Sequence, residues 1–159
     1  MLYWLIPLLF AASFATLWSL VCIALAGSGW REFAARYPTQ ARPSEPSFLA
    51  RRASFGNLFA SYRNIVRLSF LPDGILFGVL FPFRLGHRPF LLPWSSVESA
   101  VVRKFWIRNY CELKISDPAG RIVACLTTQA EPAIRRGMAS PATGSADRPV
   151  TTVRAQAID

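Results

Sequence analysis

Apolar and polar positions alternate with a different period in each part of the chain. From Leu2 to Ala26 only Pro7, Ser13, Thr16 and Ser19 interrupt an apolar run, and the first 30 residues carry no charge. About 25 helical residues at 1.5 Å each reach roughly 37 Å, enough to cross a hydrocarbon core of about 30 Å with some tilt. Pro7 falls in the first two turns, where a missing N–H matters least. Tyr3, Trp4 and Trp30 lie near the two ends and suit interfacial aromatic belts. Then Trp30, Phe33, Ala34 and Tyr37 recur at i, i+3, i+4 and i+7, which predicts a short amphipathic helix ending at Pro38, after a hinge at Gly27 and Gly29. Two placements suit it. It lies in a headgroup layer with its apolar face down, or it extends the first helix or packs on the following domain. Three prolines between 38 and 47 mark a linker.

From 48 to 128 the period shortens to that of strands, broken by turn residues. Seven strands are predicted: Arg51–Phe59, Asn64–Leu71, Ile75–Phe81, Phe90–Pro93, Val97–Phe105, Tyr110–Ser116 and Arg121–Thr127. A two-residue loop at Pro118-Ala119 pairs Ser116 with Arg121, Ile115 with Ile122, Leu113 with Ala124 and Cys111 with Leu126, an apolar face expected in the core. Glu112 then faces Cys125, so Cys111 and Cys125 point to opposite sides and cannot form a disulfide. A three-residue loop at Pro72-Asp73-Gly74 pairs Leu71 with Ile75, and sets Val66, Leu68 and Phe70 opposite Leu80, Gly78 and Leu76. Strand 75–81 is apolar on both faces, as in a strand covered twice or docked on a helix, a partner or a bilayer. Residues 131–138 read as a short helix. The organisation expected is an anchor (1–29), a juxtamembrane helix and linker (30–47), a β domain (48–138) and a disordered tail (139–159).

Composition sharpens this division. Of 159 residues 52% are apolar, and 23 of these fall in the first 30 positions. The remainder has the balance of one ordinary folded domain, which excludes a multidomain enzyme, a polytopic transporter and a wholly disordered chain. Ala24-Leu25-Ala26 before Gly27 resembles a signal-peptidase site. However, no Lys or Arg precedes the run and the run is long for a signal peptide, so an uncleaved anchor is expected. Cleavage, leaving a periplasmic domain, is the alternative. Arg31, Arg36 and Arg42 follow the run, and the positive-inside rule then places the domain on the cytosolic face of the inner membrane. Three cysteines with no even framework agree with a reducing compartment.

Charge is the main candidate chemistry. The net charge is +9, and residues 51–129 contribute +7 of it, from nine Arg and two Lys against four acids. Arg51, Arg52, Arg84, His87, Arg88, Arg103 and Lys104 form the candidate contact set, beside an apolar patch of Phe81, Phe83 and Phe90. Held at a membrane, such a domain is drawn to anionic lipid headgroups, or it docks on a membrane protein partner. Nucleic acid, suggested by basic charge with Phe105-Trp106, fits a membrane tether poorly and lacks a binding motif. Catalysis has little to work with. His87 is the one histidine, and arginines on both sides lower its proton affinity. The acids are scattered, the cysteines lack metal-ligand spacing, and no phosphate-loop glycine pattern occurs, so no enzyme activity, metal or cofactor is expected. A nucleophile at Cys125 is the weaker alternative.

Gly74-Ile75-Leu76-Phe77 followed by Phe90-Leu91-Leu92-Pro93-Trp94-Ser95-Ser96-Val97 resembles a pattern in bacterial pleckstrin-homology-like and GRAM-type domains. Gly86-His87-Arg88-Pro89 running on to Pro93-Trp94 is also similar to uncharacterised bacterial single-span proteins. The resemblance covers roughly residues 50–135. It implies a seven-stranded partial barrel with a short C-terminal helix, following a transmembrane helix. It carries no catalytic residues. The function expected is a membrane-anchored binding or scaffold module, with an accessory subunit of a larger membrane complex as the alternative.

Overall fold

A computed structural model describes residues 2–56, 61–105 and 108–139. A single 3-10 turn, Leu2–Trp4, leads into α1, Leu5–Gly27. Its mean hydropathy of 2.2 and its length suit a membrane span or a signal sequence. The Ser28 N–H and hydroxyl both donate to the Leu25 carbonyl, at 3.1 and 2.6 Å, and satisfy the end of the helix. The chain turns at Gly29 into α2, Trp30–Arg36.

Among the described residues nine strands follow: β1 (Ser47–Leu49), β2 (Arg52–Phe55), β3 (Ser61–Tyr62), β4 (Val66–Leu71), β5 (Gly74–Val79), β6 (Phe90–Pro93), β7 (Val97–Phe105), β8 (Arg108–Asp117) and β9 (Gly120–Thr127). α3, Glu131–Ala139, closes the described chain. The strands form two antiparallel sheets, ordered β1-β4-β5-β6 and β3-β2-β9-β8-β7. The sheets meet at one corner, where the Ala50 N–H donates to the Val66 carbonyl in one sheet and the Arg51 N–H to the Cys125 carbonyl in the other. Of the expected fold, the N-terminal apolar helix, the antiparallel β region and the short C-terminal helix are present; among the described residues the strands number nine rather than seven, in two sheets that close no barrel. Part of the predicted linker pairs as β1, and the predicted first strand ends at Gly56, whose φ of +69° leaves extended backbone. Residues 57–59 of that strand and most of the predicted disordered tail lie outside the described residues.

The two sheets and both later helices share one core. Trp30 and Phe33 of α2 are fully buried against Phe55 and Phe90, and the Trp30 Nε1–H donates to the Arg88 carbonyl at 2.8 Å. Of the two placements open for this helix, it takes the one packed on the domain. Burying two aromatic rings among others gains more than leaving them at an interface. β6 runs from Phe90 beside α2 to Pro93, and Trp94, the next residue, stands over α3. A Cβ on Gly137 would meet the Trp94 ring at 1.9 Å, so only glycine lets α3 lie this close. The Trp94 indole donates to the Leu71 carbonyl at 2.9 Å.

The β8–β9 register is the one expected, from Ser116↔Arg121 to Cys111↔Leu126. The Pro72 hairpin is shifted by one residue. Leu71 pairs with Gly74, so Val66, Leu68 and Phe70 face Val79, Phe77 and Ile75. The two-residue loop puts every one of these residues on the core side, whereas the three-residue loop would have spent the Gly78 position on the core. The second face of β5 is covered within the chain. Leu76 is 2% exposed, beneath a linker that bonds to β6 through Tyr37 and Pro38 and then passes Ala41 and Pro43 over the sheet.

Asp117 ties α2 to the β8–β9 turn. Its carboxylate accepts from the Tyr37 hydroxyl at 2.6 Å, the Ala119 N–H at 2.9 Å and Ser96 Oγ at 3.2 Å, with Arg36 at 3.5 Å. Burial alone would raise its pKa. The three hydrogen bonds and the Arg36 charge outweigh burial and hold it below the usual carboxylate range.

Candidate functional site

Between β5 and β6 the chain makes a loop, residues 80–89, that leaves the domain and lies along α1. Phe83 tilts onto Trp18 with ring centroids 5.0 Å apart. Gly86, at φ +79°, presses on the next two turns: a Cβ there would come 3.2 Å from Ala26 Cβ and 3.4 Å from Ile23 Cα. Trp18, Cys22 and Ala26 stand at i, i+4 and i+8, and Cys22 and Ala26 are buried under this contact. Small side chains on the helix and no side chain at Gly86 allow the backbones to approach. Apart from the half-buried Trp18, Ser19 and Leu25, the rest of α1 is exposed. Among the described residues Phe81 of this loop is 84% exposed and Leu85 49%, both large and apolar.

His87 holds the base of the loop. Its Nδ1–H donates to the Leu85 carbonyl at 3.0 Å, and its Nε2 lies against the Tyr62 hydroxyl oxygen, also at 3.0 Å. The same hydroxyl donates to the Leu25 carbonyl at 2.9 Å, so the polar chain runs from loop to domain to the end of α1. Burial pushes the Tyr62 phenol up to about 12. It also lowers the His87 pKa, with a smaller push from Arg31, against the raising effect of the Leu85 and Phe83 carbonyls. The expected direction is found, but desolvation is its main cause. A histidine whose folded pKa lies below the unfolded 6.5 takes up its proton in the unfolded chain first. Its contribution is therefore full above about pH 6.5 and is lost as the pH falls towards the folded value. The melting temperature of the full chain in neutral micelles is expected to drop between pH 7 and 5. The slope contributed by His87 stays within about 1.4 kcal/mol per pH unit, and His87→Gln should flatten it.

The candidate contact residues do not form one surface. Arg84 and Arg88 are exposed on the loop beside α1. His87 is 4% exposed with both ring nitrogens engaged, and Phe90 is fully buried on Phe77 at 4.9 Å. Both are corrected from surface contact residues to structural ones, because Trp30 and Tyr62 pack His87, and Trp30, Phe33, Phe55 and Phe77 enclose Phe90. Arg51 and Arg52 are exposed at the β2 edge, where Arg52 Nε–H donates to Ser61 Oγ at 2.9 Å. Arg103 pairs with Glu112 at 2.8 Å, which removes it from the free basic set. Arg103 and Lys104 pair across the sheet with Tyr110 and Asn109. That places them seven to eight residues, about 23–26 Å at 3.3 Å each, from the β8–β9 turn. The turn itself adjoins the α1–α2 junction through Gly120, Gly56 and Gly29. The two groups therefore lie at opposite ends of the domain. The side chain of Phe105 and all of Trp106 lie outside the described residues.

Sequence reasoning missed Trp18, Cys22, Ala26 and Tyr62. A stripe within an all-apolar helix has no polar face to outline it, and the glycine at position 86 is the one sequence signal for the contact. Burial raises the Cys125 pKa, so this sulfur stays a thiol rather than the thiolate a nucleophile needs. Among the described residues no three His, Cys, Asp or Glu side chains are placed to hold a metal ion. No protein-family model matches the chain, and no curated protein matches it.

Proposed function

We propose that the chain is a single-span membrane protein whose β domain is seated on the bilayer by α1 and the 80–89 loop, and acts there as a binding or scaffold module rather than a catalyst. The carrying observation is the Trp18–Phe83 contact. The 23 residues of α1 and the 3-10 turn before it reach about 41 Å, at 1.5 and 2.0 Å per residue. A hydrocarbon core of about 30 Å leaves roughly 11 Å of slack. Trp18 lies nine residues before Gly27, about 14 Å along the axis. Even with all the slack at the domain end, Trp18 lies about 3 Å inside the hydrocarbon, with the Phe83 ring beside it at the boundary, and any smaller share of the slack takes both deeper. Exposed Phe81 and Leu85 then meet acyl chains, and Arg84 and Arg88 reach up to headgroups.

The same contacts favour a retained anchor over a cleaved signal peptide, since cleavage after Ala26 would strip the loop of its packing partner. Flanking arginines favour the cytosolic face of the inner membrane. Strands in two sheets capped by a short helix support the pleckstrin-homology-like resemblance. The accessory-subunit reading, in which the two-sided apolar strand and the membrane helix dock on a larger complex, loses support at β5, over which the linker passes, and keeps the exposed apolar face of α1.

Reconstituted in mixed vesicles, the full chain should enrich spin-labelled anionic lipid over phosphatidylcholine in its boundary shell, with the preference falling as salt rises. Replacing Arg84 and Arg88 by Gln should lower it by about 1 kcal/mol per residue near the surface. An equal boundary shell for both lipids would remove the electrostatic part of the proposal.

A further inference from the structure

Behind the membrane-facing loop, the outer face of the first sheet holds a cavity of about 220 Å³. That is several times the roughly 30 Å³ share of one liquid water. Arg67, Ser69, Leu76 and Gly78 form its floor, Arg84 comes from the loop, and Pro43 comes from the overlying linker. No acidic side chain lines it. Arg67 and Arg84 have no carboxylate within salt-bridge distance among the described residues. Ser69 is 1% exposed, and its buried hydroxyl has no hydrogen-bond partner. A native fold seldom leaves a buried hydroxyl unpaired unless something else satisfies it. Gly78 pairs with Arg67, and a Cβ there would meet nothing within 4 Å, so the floor is open where a side chain would fill it.

We propose that this cavity binds the phosphate group of a phosphate monoester, the guanidinium groups of Arg67 and Arg84 and the Ser69 hydroxyl donating to its oxygens. Two arginine forks with no internal counter-ion suit the tetrahedral, multiply charged phosphate. Leu76 and Pro43 offer apolar wall to the ester carbon. Two sources carry this chemistry: the headgroup of a lipid such as phosphatidic acid, or a soluble ester. The lipid source rests on the membrane seating proposed above, because Arg84 belongs to the loop that enters the leaflet.

The test is native mass spectrometry of the full chain released from maltoside micelles. The probes are dihexanoyl phosphatidic acid, dihexanoylglycerol and glycerol 3-phosphate. One phosphatidic acid per chain is expected, with no retention of dihexanoylglycerol. Gly78→Ile, which fills the floor, should weaken binding at least tenfold. So should Ser69→Ala combined with Arg67→Gln, a second route should the first variant fail to fold. Binding of phosphatidic acid alone identifies the membrane as the source, and equal binding of glycerol 3-phosphate identifies a soluble ester. Retention of dihexanoylglycerol as strong as that of phosphatidic acid would overturn the proposal. So would binding that a folded variant leaves unchanged. A loop found in water would refute the membrane seating while leaving phosphate binding intact, so the two failures are separable.

Discussion

Replacing Trp30 by alanine is expected to destabilise the β domain by about 3–5 kcal/mol, the range for removing a large buried aromatic side chain. Trp30 is fully buried, meets Phe55, Tyr62, His87 and Phe90 with centroids 4.9–6.0 Å away, and donates to the Arg88 carbonyl. The substitution therefore opens a cavity, and it also leaves that carbonyl without its donor at the base of the 80–89 loop. A domain of this size is stable by only about 5–15 kcal/mol, so a large part of the margin would go. Denaturant unfolding of the full chain in neutral micelles, followed by near-UV circular dichroism, reads the change. Were α2 lying in a headgroup layer instead, domain stability would move by no more than about 0.5 kcal/mol, as for a surface substitution.

The second large effect is expected at Gly86. Valine there must adopt a φ of +79° with a branched side chain, a strain of about 1–3 kcal/mol. Its Cβ would also press within 3.2 Å of Ala26 Cβ, and overpacking typically adds about 1–3 kcal/mol. The helix backbone at Ile23 cannot give way, so the loop must lift from α1. Gly86→Val should thus lower stability by about 2–6 kcal/mol and free the Phe83 ring from Trp18. Gly78→Val, a glycine change into open space, serves as the control and should leave the melting temperature nearly unchanged.

Much of the fold is legible in the sequence where two independent signals agree. At Asp117-Pro118-Ala119-Gly120 the turn residues and the alternation of Leu113, Ile115, Ile122 and Ala124 demand one register, and that register occurs. At Pro72-Asp73-Gly74 only the turn speaks, because β5 is apolar on both faces and alternation cannot choose between them. Gly74 belongs to the strand, where a Cβ would fall 2.2 Å from the Leu92 carbonyl oxygen, rather than to the loop. The site was legible only in outline. Phe81 and Phe90 look alike in sequence, yet one is 84% exposed and the other fully buried. The difference arises where the loop doubles back, and His87 with Tyr62 holds that fold through long-range contacts that no local pattern encodes. The basic residues likewise look like one set in sequence, although strand length separates Arg84 from Arg103.

The most direct test of the membrane seating uses a nitroxide attached at Phe81→Cys and, separately, at Lys104→Cys. The three native cysteines are replaced by alanine, and the full chain is reconstituted in vesicles. Collision with oxygen, which concentrates in hydrocarbon, is compared with collision with a water-soluble nickel chelate. The label at position 81 should be oxygen-rich and shielded from nickel, and the label at position 104 the reverse. A label at 81 as accessible to nickel as that at 104 would contradict a loop seated in the bilayer beside α1.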